Sequence, residues 1–425
     1  MTHRTRLWVA FAIMGFALAA QGRSPDVFLE SRRSGFQGIP VVVLPFSGTA
    51  STEQRRLAET ILRADLERSA LFKVMPQPLA PPGTSPAQIA SLSKAQGVIS
   101  ASLDPLSPSL VLDGFVHNAG QAEPALQVKF SGEAVSLRRM VHRLSDRLVT
   151  HFTGEPGIAQ THIAYISTQT GGKEVYMMDY DGENEIPLTK DRSIVLSPRW
   201  SAQADQIAYT SYRTGKPDVH MVNIVTGERK ILLALKGINF APVWSPKGDK
   251  IAFSTTKDGN AEIYMMSPDG KGVKRLTSHD ASDLSPSWSP SGRQIAFTSD
   301  RGGSPQIYVM DSEGAHVRRL SFSGTYNTSP AWSPKGDPIA YTCRNNEKKL
   351  KICLMPAEGG EAYLLTDDGP YDDESPSWAP DGKSIVFAST RLGERHLFAI
   401  HVDGTGLVRL THGPGSYSGP AWSPR

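Results

Sequence analysis

Six tryptophans stand at a nearly fixed interval in the second part of the chain: Trp200, Trp244, Trp288, Trp332, Trp378 and Trp422, spaced 44, 44, 44, 46 and 44 residues apart. Each sits in one recurring phrase: SPRWSAQAD, APVWSPKGD, SPSWSPSGR, SPAWSPKGD, SPSWAPDGK and GPAWSPR. A short unit repeated at this period cannot bury a hydrophobic face alone, so its copies must stack on one another. Five or six residues beyond each turn comes a run such as Ile207-Ala208-Tyr209, Ile251-Ala252-Phe253 or Ile295-Ala296-Phe297. Ile339-Ala340-Tyr341 and Ile385-Val386-Phe387 continue the series, and a further copy, Ile163-Ala164-Tyr165, precedes the first of these tryptophans. In the middle unit the pattern predicts strands near 295–299, 306–310 and 317–320, with Gly and Asp supplying the turns between them. With the Trp strand that makes four strands per unit, the content of a propeller blade of about 40–45 residues.

Six Trp strands and six Ile-Ala-aromatic strands predict six blades. The repeat opens at Thr161 with the second strand of a blade and stops just after the sixth Trp strand. A C-terminal strand at 419–423 is therefore expected to complete the blade begun by 163–167, closing the ring and removing its exposed edges. The tryptophans are expected to wedge between blades. The fold class read from the sequence is an all-β six-bladed propeller at 158–425, preceded by a small α/β domain at 38–157. In that first domain the order βαβαβββα is expected, with strands at 39–46, 71–75, 98–103, 110–117 and 126–135 and helices at 53–69, 85–95 and 137–152.

Residues 1–20 read as a secretory leader: Arg4 and Arg6, an apolar run at 7–19, then Ala17-Leu18-Ala19-Ala20. The run falls short of the roughly 20 residues that span a bilayer. Residues 21–37 read as a flexible N-terminal peptide. The expected location is the periplasm, without direct membrane insertion. Lys and Arg total 45 against 42 Asp and Glu, which leaves no large field aimed at nucleic acid. No G-x-S-x-G, Walker loop, G-x-G-x-x-G or H-E-x-x-H is present. Cys343 and Cys353 flank one hairpin and are open to two readings, a cross-strand disulfide or two free buried thiols. Asp367, Asp368, Asp372, Asp373 and Glu374 form an acidic cluster, either a cation site or a solvated loop.

The WSPxG, IAF and IYVM units, the segment LVTHFTGEPGI at 148–158, GIPVVVLPF at 38–46 and the C-terminal PAWSP together resemble the TolB family, periplasmic components of the Tol–Pal envelope system. The resemblance covers nearly the whole chain beyond the leader. It implies a monomeric, non-catalytic adaptor without a cofactor, which binds the lipoprotein Pal with its propeller and TolA with an N-terminal peptide. Such proteins serve outer-membrane integrity and cell division. Asp26, Val27, Phe28, Leu29 and Glu30 match the position of the TolA-binding peptide.

The loops leading into the Trp strands should converge at one mouth of the channel, with the WSPxG turns on the other face. The ring so formed comprises Leu196-Ser197, Asn239-Phe240-Ala241, Asp283-Leu284-Ser285, Asn327-Thr328-Ser329, Asp373-Glu374-Ser375 and Ser418-Gly419. It mixes apolar groups with acceptors and hydroxyls, as an interface core with a polar rim does. By the family likeness it is the expected Pal-binding mouth, with Asn239, Phe240, Ala241, Asp283, Leu284, Ser285, Asn327, Thr328, Asp373 and Glu374 as candidate contacts. The alternative is a periplasmic propeller hydrolase or lactonase with a channel metal, which would use Asp283, Asp373 and Glu374.

Overall fold

The computed structural model describes residues 38–425. The expected leader, the 21–37 peptide and its candidate TolA contacts Asp26, Val27, Phe28, Leu29 and Glu30 lie outside the described residues. In the first domain the elements are β1 (Ile39–Val43), α1 (Thr52–Arg68), β2 (Phe72–Met75), α2 (Pro86–Ser93), β3 (Gly97–Leu106), β4 (Ser109–His117), β5 (Leu126–Glu133) and α3 (Leu137–Thr153). They follow the order expected from the sequence. The sheet runs β2-β1-β3-β4-β5, parallel across β1 and antiparallel beyond β3.

Local chemistry sets the boundaries. Ser51 caps α1 through Gln54 in a reciprocal capping box, and Ser85 does the same for α2 through Gln88. β1 ends earlier than expected because Pro45, with no N–H, interrupts the ladder after Leu44 has bonded Ile99. β5 gives way at Glu133 to a single 3₁₀ turn, Ala134–Ser136, which leads into α3. The buried faces of α1 and α3, including Leu62, Leu66, Leu144 and Leu148, pack on Val41, Ile99 and Leu112.

Beyond α3 the chain crosses to the propeller through a tight joint. Gly154 at φ 74° ends the helix, and its N–H bonds Thr150. Asp146 then accepts the amide of Ala159 at 2.8 Å and the Gln160 side chain at 2.9 Å. A Cβ on Gly157 would lie 2.1 Å from that carboxylate, so only glycine fits there.

Six four-stranded antiparallel sheets form a six-bladed ring. Blades 1 to 5 begin with inner strands Val195–Trp200, Asn239–Trp244, Asp283–Trp288, Asn327–Trp332 and Asp373–Trp378. Blade 6 joins the two ends of the domain: Tyr417–Trp422 pairs with His162–Ser167, in the register Tyr417 to Ser167 and Trp422 to Ile163. The closure anticipated from the sequence is thus the closure observed.

Each tryptophan belongs to the hydrophobic cluster between its own blade and the preceding one. The second strands bury both faces: Ile295, Ala296 and Phe297 have no exposure. Trp200, Trp288 and Trp378 donate their indole N–H to carbonyls of the preceding blade, at Ala421, Val243 and Ala331. Where that place holds serine, Ser287 or Ser377, its hydroxyl instead accepts the next tryptophan's backbone N–H. The indoles then turn elsewhere, Trp332 to Gly336 and Trp422 to Thr161. One residue of the preceding blade thus decides how these five wedges are held, while the buried Trp244 indole N–H has no hydrogen-bond partner.

Across the second and third strands, aromatic rings pair in four blades: Tyr165 with Tyr176, Phe253 with Tyr264, Phe297 with Tyr308 and Phe387 with Phe398. Blade 1 uses Tyr209 and His220. In blade 4 the partner of Tyr341 is Cys353, and it is disulfide-bonded to Cys343. The bridge occupies the space that an aromatic ring fills in the other blades.

Candidate partner-binding mouth of the channel

The inner strands sit at the edge of each blade and touch one another around the ring, so they surround the channel. In all six, the pairing to the second strand slips by one residue, a β-bulge at the same place. The third residue of each takes a positive φ: 52° at Ser197, 50° at Ala241, 53° at Ser285, 53° at Ser329, 58° at Ser375 and 57° at Gly419. Five of these are not glycine, and proline follows every one. A left-handed φ at a non-glycine residue stores strain of about 1–3 kcal/mol, which recurs at binding sites where backbone geometry is fixed by its surroundings.

Two sets of bonds brace four of these strands. The bulge amides of Ala241, Ser329 and Ser375 each donate to a threonine of the preceding blade, Thr210, Thr298 and Thr342, at 3.1 Å. The first residues of four inner strands, Asn239, Asp283, Asn327 and Asp373, are buried polar anchors. Asn239 donates to Asp218 at 3.0 Å and to the Leu235 carbonyl at 2.9 Å, and accepts from Thr255. Asn327 repeats the scheme with Gln306 and Ser323.

Where aspartate replaces asparagine, arginine appears on the second-strand hairpin to match it. Arg301 reaches Asp283 at 2.7 Å, and Arg391 reaches Asp373 at 3.0 Å. Burial still raises both carboxyls above their ordinary range, against hydrogen bonds from Ser299 and Ser389 and the arginine charges. Lys351 is buried 3.9 Å from Asp373, and burial lowers its ammonium.

The candidate residues therefore divide in two. Asn239, Asp283, Asn327 and Asp373 face inward and hold the strand. Phe240, Ala241, Leu284, Ser285, Thr328 and Glu374 are half-exposed at the mouth, as are Leu196 and Ser418. Glu374 is paired with Arg395 at 3.1 Å. Around them stand apolar residues that sequence reasoning missed: Ile194, Ile238, Phe322 and Leu392 are exposed on loops or hairpins at this end. Ile194 and Ile238 keep the 44-residue period, each just before an inner strand, but the other units hold Ser282, Tyr326, Asp372 and Ser416 there; Phe322 and Leu392 stand outside any such series.

Each residue of the acidic cluster finds a protein partner. Asp367 accepts from Tyr371 and Asp368 from Asn345; Asp372 accepts the Leu350 amide at 3.0 Å. Asp283 and Asp373 lie two blades apart, each against its own arginine. Among the described residues the group of acids and histidine close enough to hold a metal is Asp65, His142 and Asp181, away from this mouth. There Arg138 and Tyr180 already occupy the carboxylates, so the group is an ion-pair network.

The other face of the propeller is covered. Arg138 of α3 pairs with Asp181 of blade 6, Lys335 on a WSPxG turn meets Glu155 at 3.4 Å, and Arg425 donates to the Gly157 carbonyl. The α/β domain thus packs on the turn face, leaving the bulged mouth as the open end of the channel.

A family profile described as TolB beta propeller domain matches residues 149–425. The chain belongs to the TolB family. The "Tol-Pal system protein TolB" of Geobacter sulfurreducens is 39% identical over 187 residues, covering 42% of this chain and 43% of that protein. Its namesake from Syntrophotalea carbinolica is 35% identical over 209 residues, 46% of this chain and 48% of the relative. The chain spans just under half the length of these curated relatives. The crystal structure of TolB from Acinetobacter baumannii superposes with a TM-score of 0.79 at 27% identity, over 94% of this chain and 99% of that one. A chain of the nidogen/laminin complex, at 10% identity and a TM-score of 0.53 over 62% of this chain and 98% of that one, shares the fold alone.

Proposed function

We propose that this TolB-family chain is a non-catalytic periplasmic adaptor of the Tol–Pal system, binding Pal at the propeller mouth and TolA through the N-terminal peptide at Asp26–Glu30. The reading rests above all on the mouth itself. Six bulged inner strands present half-exposed side chains at one open end, backed by buried polar anchors, while the α/β domain covers the opposite face. A ring with apolar residues at its centre and charged partners behind fits a protein loop better than a reaction centre. The names of the relatives place them in the Tol–Pal system, which supports the choice of partners.

The half-exposed six, Phe240, Ala241, Leu284, Ser285, Thr328 and Glu374, are the proposed contacts. Asn239, Asp283, Asn327 and Asp373 position them from behind. Calorimetric titration of residues 21–425 with the soluble Pal domain of the same organism is expected to give saturable one-to-one binding. Phe240→Ala with Glu374→Ala should weaken it at least about tenfold, roughly 1.4 kcal/mol. Unchanged affinity moves the Pal site off this mouth. Removing residues 22–37 should weaken TolA binding and leave the melting curve of the propeller in place; undiminished TolA affinity removes that peptide from the proposal.

A further inference from the structure

Asp65 of α1, His142 of α3 and Tyr180-Asp181 of blade 6 meet in the joint between the two domains, all four buried. His142 stands between two carboxylates. Its Nδ1 is 2.7 Å from Asp65 Oδ2, and its Nε2 is 3.5 Å from Asp181 Oδ2. Tyr180 donates its hydroxyl to the other oxygen of Asp65, Arg138 pairs with Asp181, and the tyrosine ring stands edge-on to the imidazole. His142 Nε2 has no hydrogen-bond partner. A cleft of about 390 Å³, lined by His142, Arg139, His162 and Asp179, leads to the ring.

We propose that this cluster is a proton-operated latch between the α/β domain and the propeller, closed while His142 is an imidazolium and loosened when it loses its proton. With His142 protonated, two cations balance two aspartates, and Nε2 becomes a donor toward Asp181. With His142 neutral, one proton stays on Nδ1 toward Asp65, a lone pair faces the Asp181 carboxylate, and the joint buries a net negative charge. The charges facing the ring are Asp65 from α1, Arg138 and Asp146 from α3, and Asp181 from blade 6, with Arg68 beside Tyr180 and Glu183 beside Arg138.

Burial alone pulls the imidazolium down. The hydrogen bond and charge of Asp65, then the charge of Asp181, outweigh it against Arg138 and hold His142 above its ordinary range. A raised histidine stabilises the closed joint fully below its detached value of about 6.5, and that contribution is lost as pH rises through the attached value. Two other histidines at the joint act in the opposite sense. Burial lowers His162, which also faces Arg139, and burial lowers His401 beside the Glu67 carbonyl. They loosen the joint as pH falls, so a test must isolate His142.

Hydrogen exchange of residues 21–425, corrected for intrinsic rates, provides that test in the amides of 138–146 and 179–185. Between pH of about 6.5 and the attached value, the opening constant is expected to rise by up to tenfold per pH unit and then level. In His142→Gln, which cannot titrate, that rise should vanish. The same rise in the variant, or a flat profile in the wild type, overturns the latch. Should the variant fail to fold, titration of the ¹³C-labelled imidazole in the wild type, identified by its contact with Tyr180, decides. A midpoint above about 6.5 supports the latch, and one at or below it overturns it.

Discussion

Thr342 and Ser254 occupy equivalent places on the second strands of blades 4 and 2, yet one is bonded and the other is not. Thr342 Oγ1 accepts the bulge amide of Ser375 at 3.1 Å, whereas the buried Ser254 hydroxyl has no partner. Thr342→Val leaves the half-buried Ser375 N–H without its partner and is expected to lower stability by about 1 kcal/mol. Ser254→Ala removes only an unused hydroxyl and should cost less than about 0.5 kcal/mol. Urea unfolding of the two variants measures the difference; equal losses would show that the threonine bond contributes nothing. The tryptophans were legible at this scale because a large apolar side chain at a fixed period has few places to go. The bulge was not, since Ser197, Ala241 and Ser375 carry no mark of a positive φ. At Ala241 and Ser375 a threonine of the neighbouring blade holds that conformation.

A second polar repeat passed unnoticed for a related reason. Glu174, Asp218, Glu262 and Gln306 begin third strands, Lys351 and His396 stand second and third in theirs, and all six are buried. Thr189, Thr277 and Ser321 donate to the first, third and fourth of these, while accepting the amides of Val175, Ile263 and Ile307. Five residue types, acidic, neutral and basic, share one position, so composition hides the period that geometry preserves. At this scale the disulfide of blade 4 also yields a prediction. Its loop is short, with a separation of 10 residues, for which loop closure alone gives about 2–3 kcal/mol. Cys343→Ala with Cys353→Ala should therefore melt lower than the oxidised wild type, and reductant should change the melting of the wild type but not of the variant. A variant melting with the oxidised wild type would assign the bridge no stabilising role.

Ring closure governs the molecule as a whole. The strand Tyr417–Trp422 is joined to blade 6 by its ladder and by bonds from the Ser423 amide to the His162 carbonyl and from the Trp422 indole to Thr161. A chain ending at residue 416 would expose one edge of His162–Ser167 and the apolar face of blade 5. It should lose its single cooperative melting transition and self-associate through the open edge. A monomeric truncated chain with an unchanged melting curve would show that closure is dispensable. The same ring explains why the mouth is available: the first domain docks on the turns, and the opposite ends of the inner strands remain free.

The sequence by itself determined the repeat, its six blades, the order of elements before it and the joining of its two ends. These follow from periodic apolar residues, whose burial allows few alternatives. Which ring residues look outward was decided only by tertiary structure. Asn239 and Phe240 are neighbours in one strand, but the ladder turns the first into a buried anchor and the bulge presents the second at the mouth. The His142 joint is of the same kind. Asp65, His142 and Asp181 are separated by long stretches of chain, and nothing local brings them together; docking of the two domains does, because buried charges must find one another.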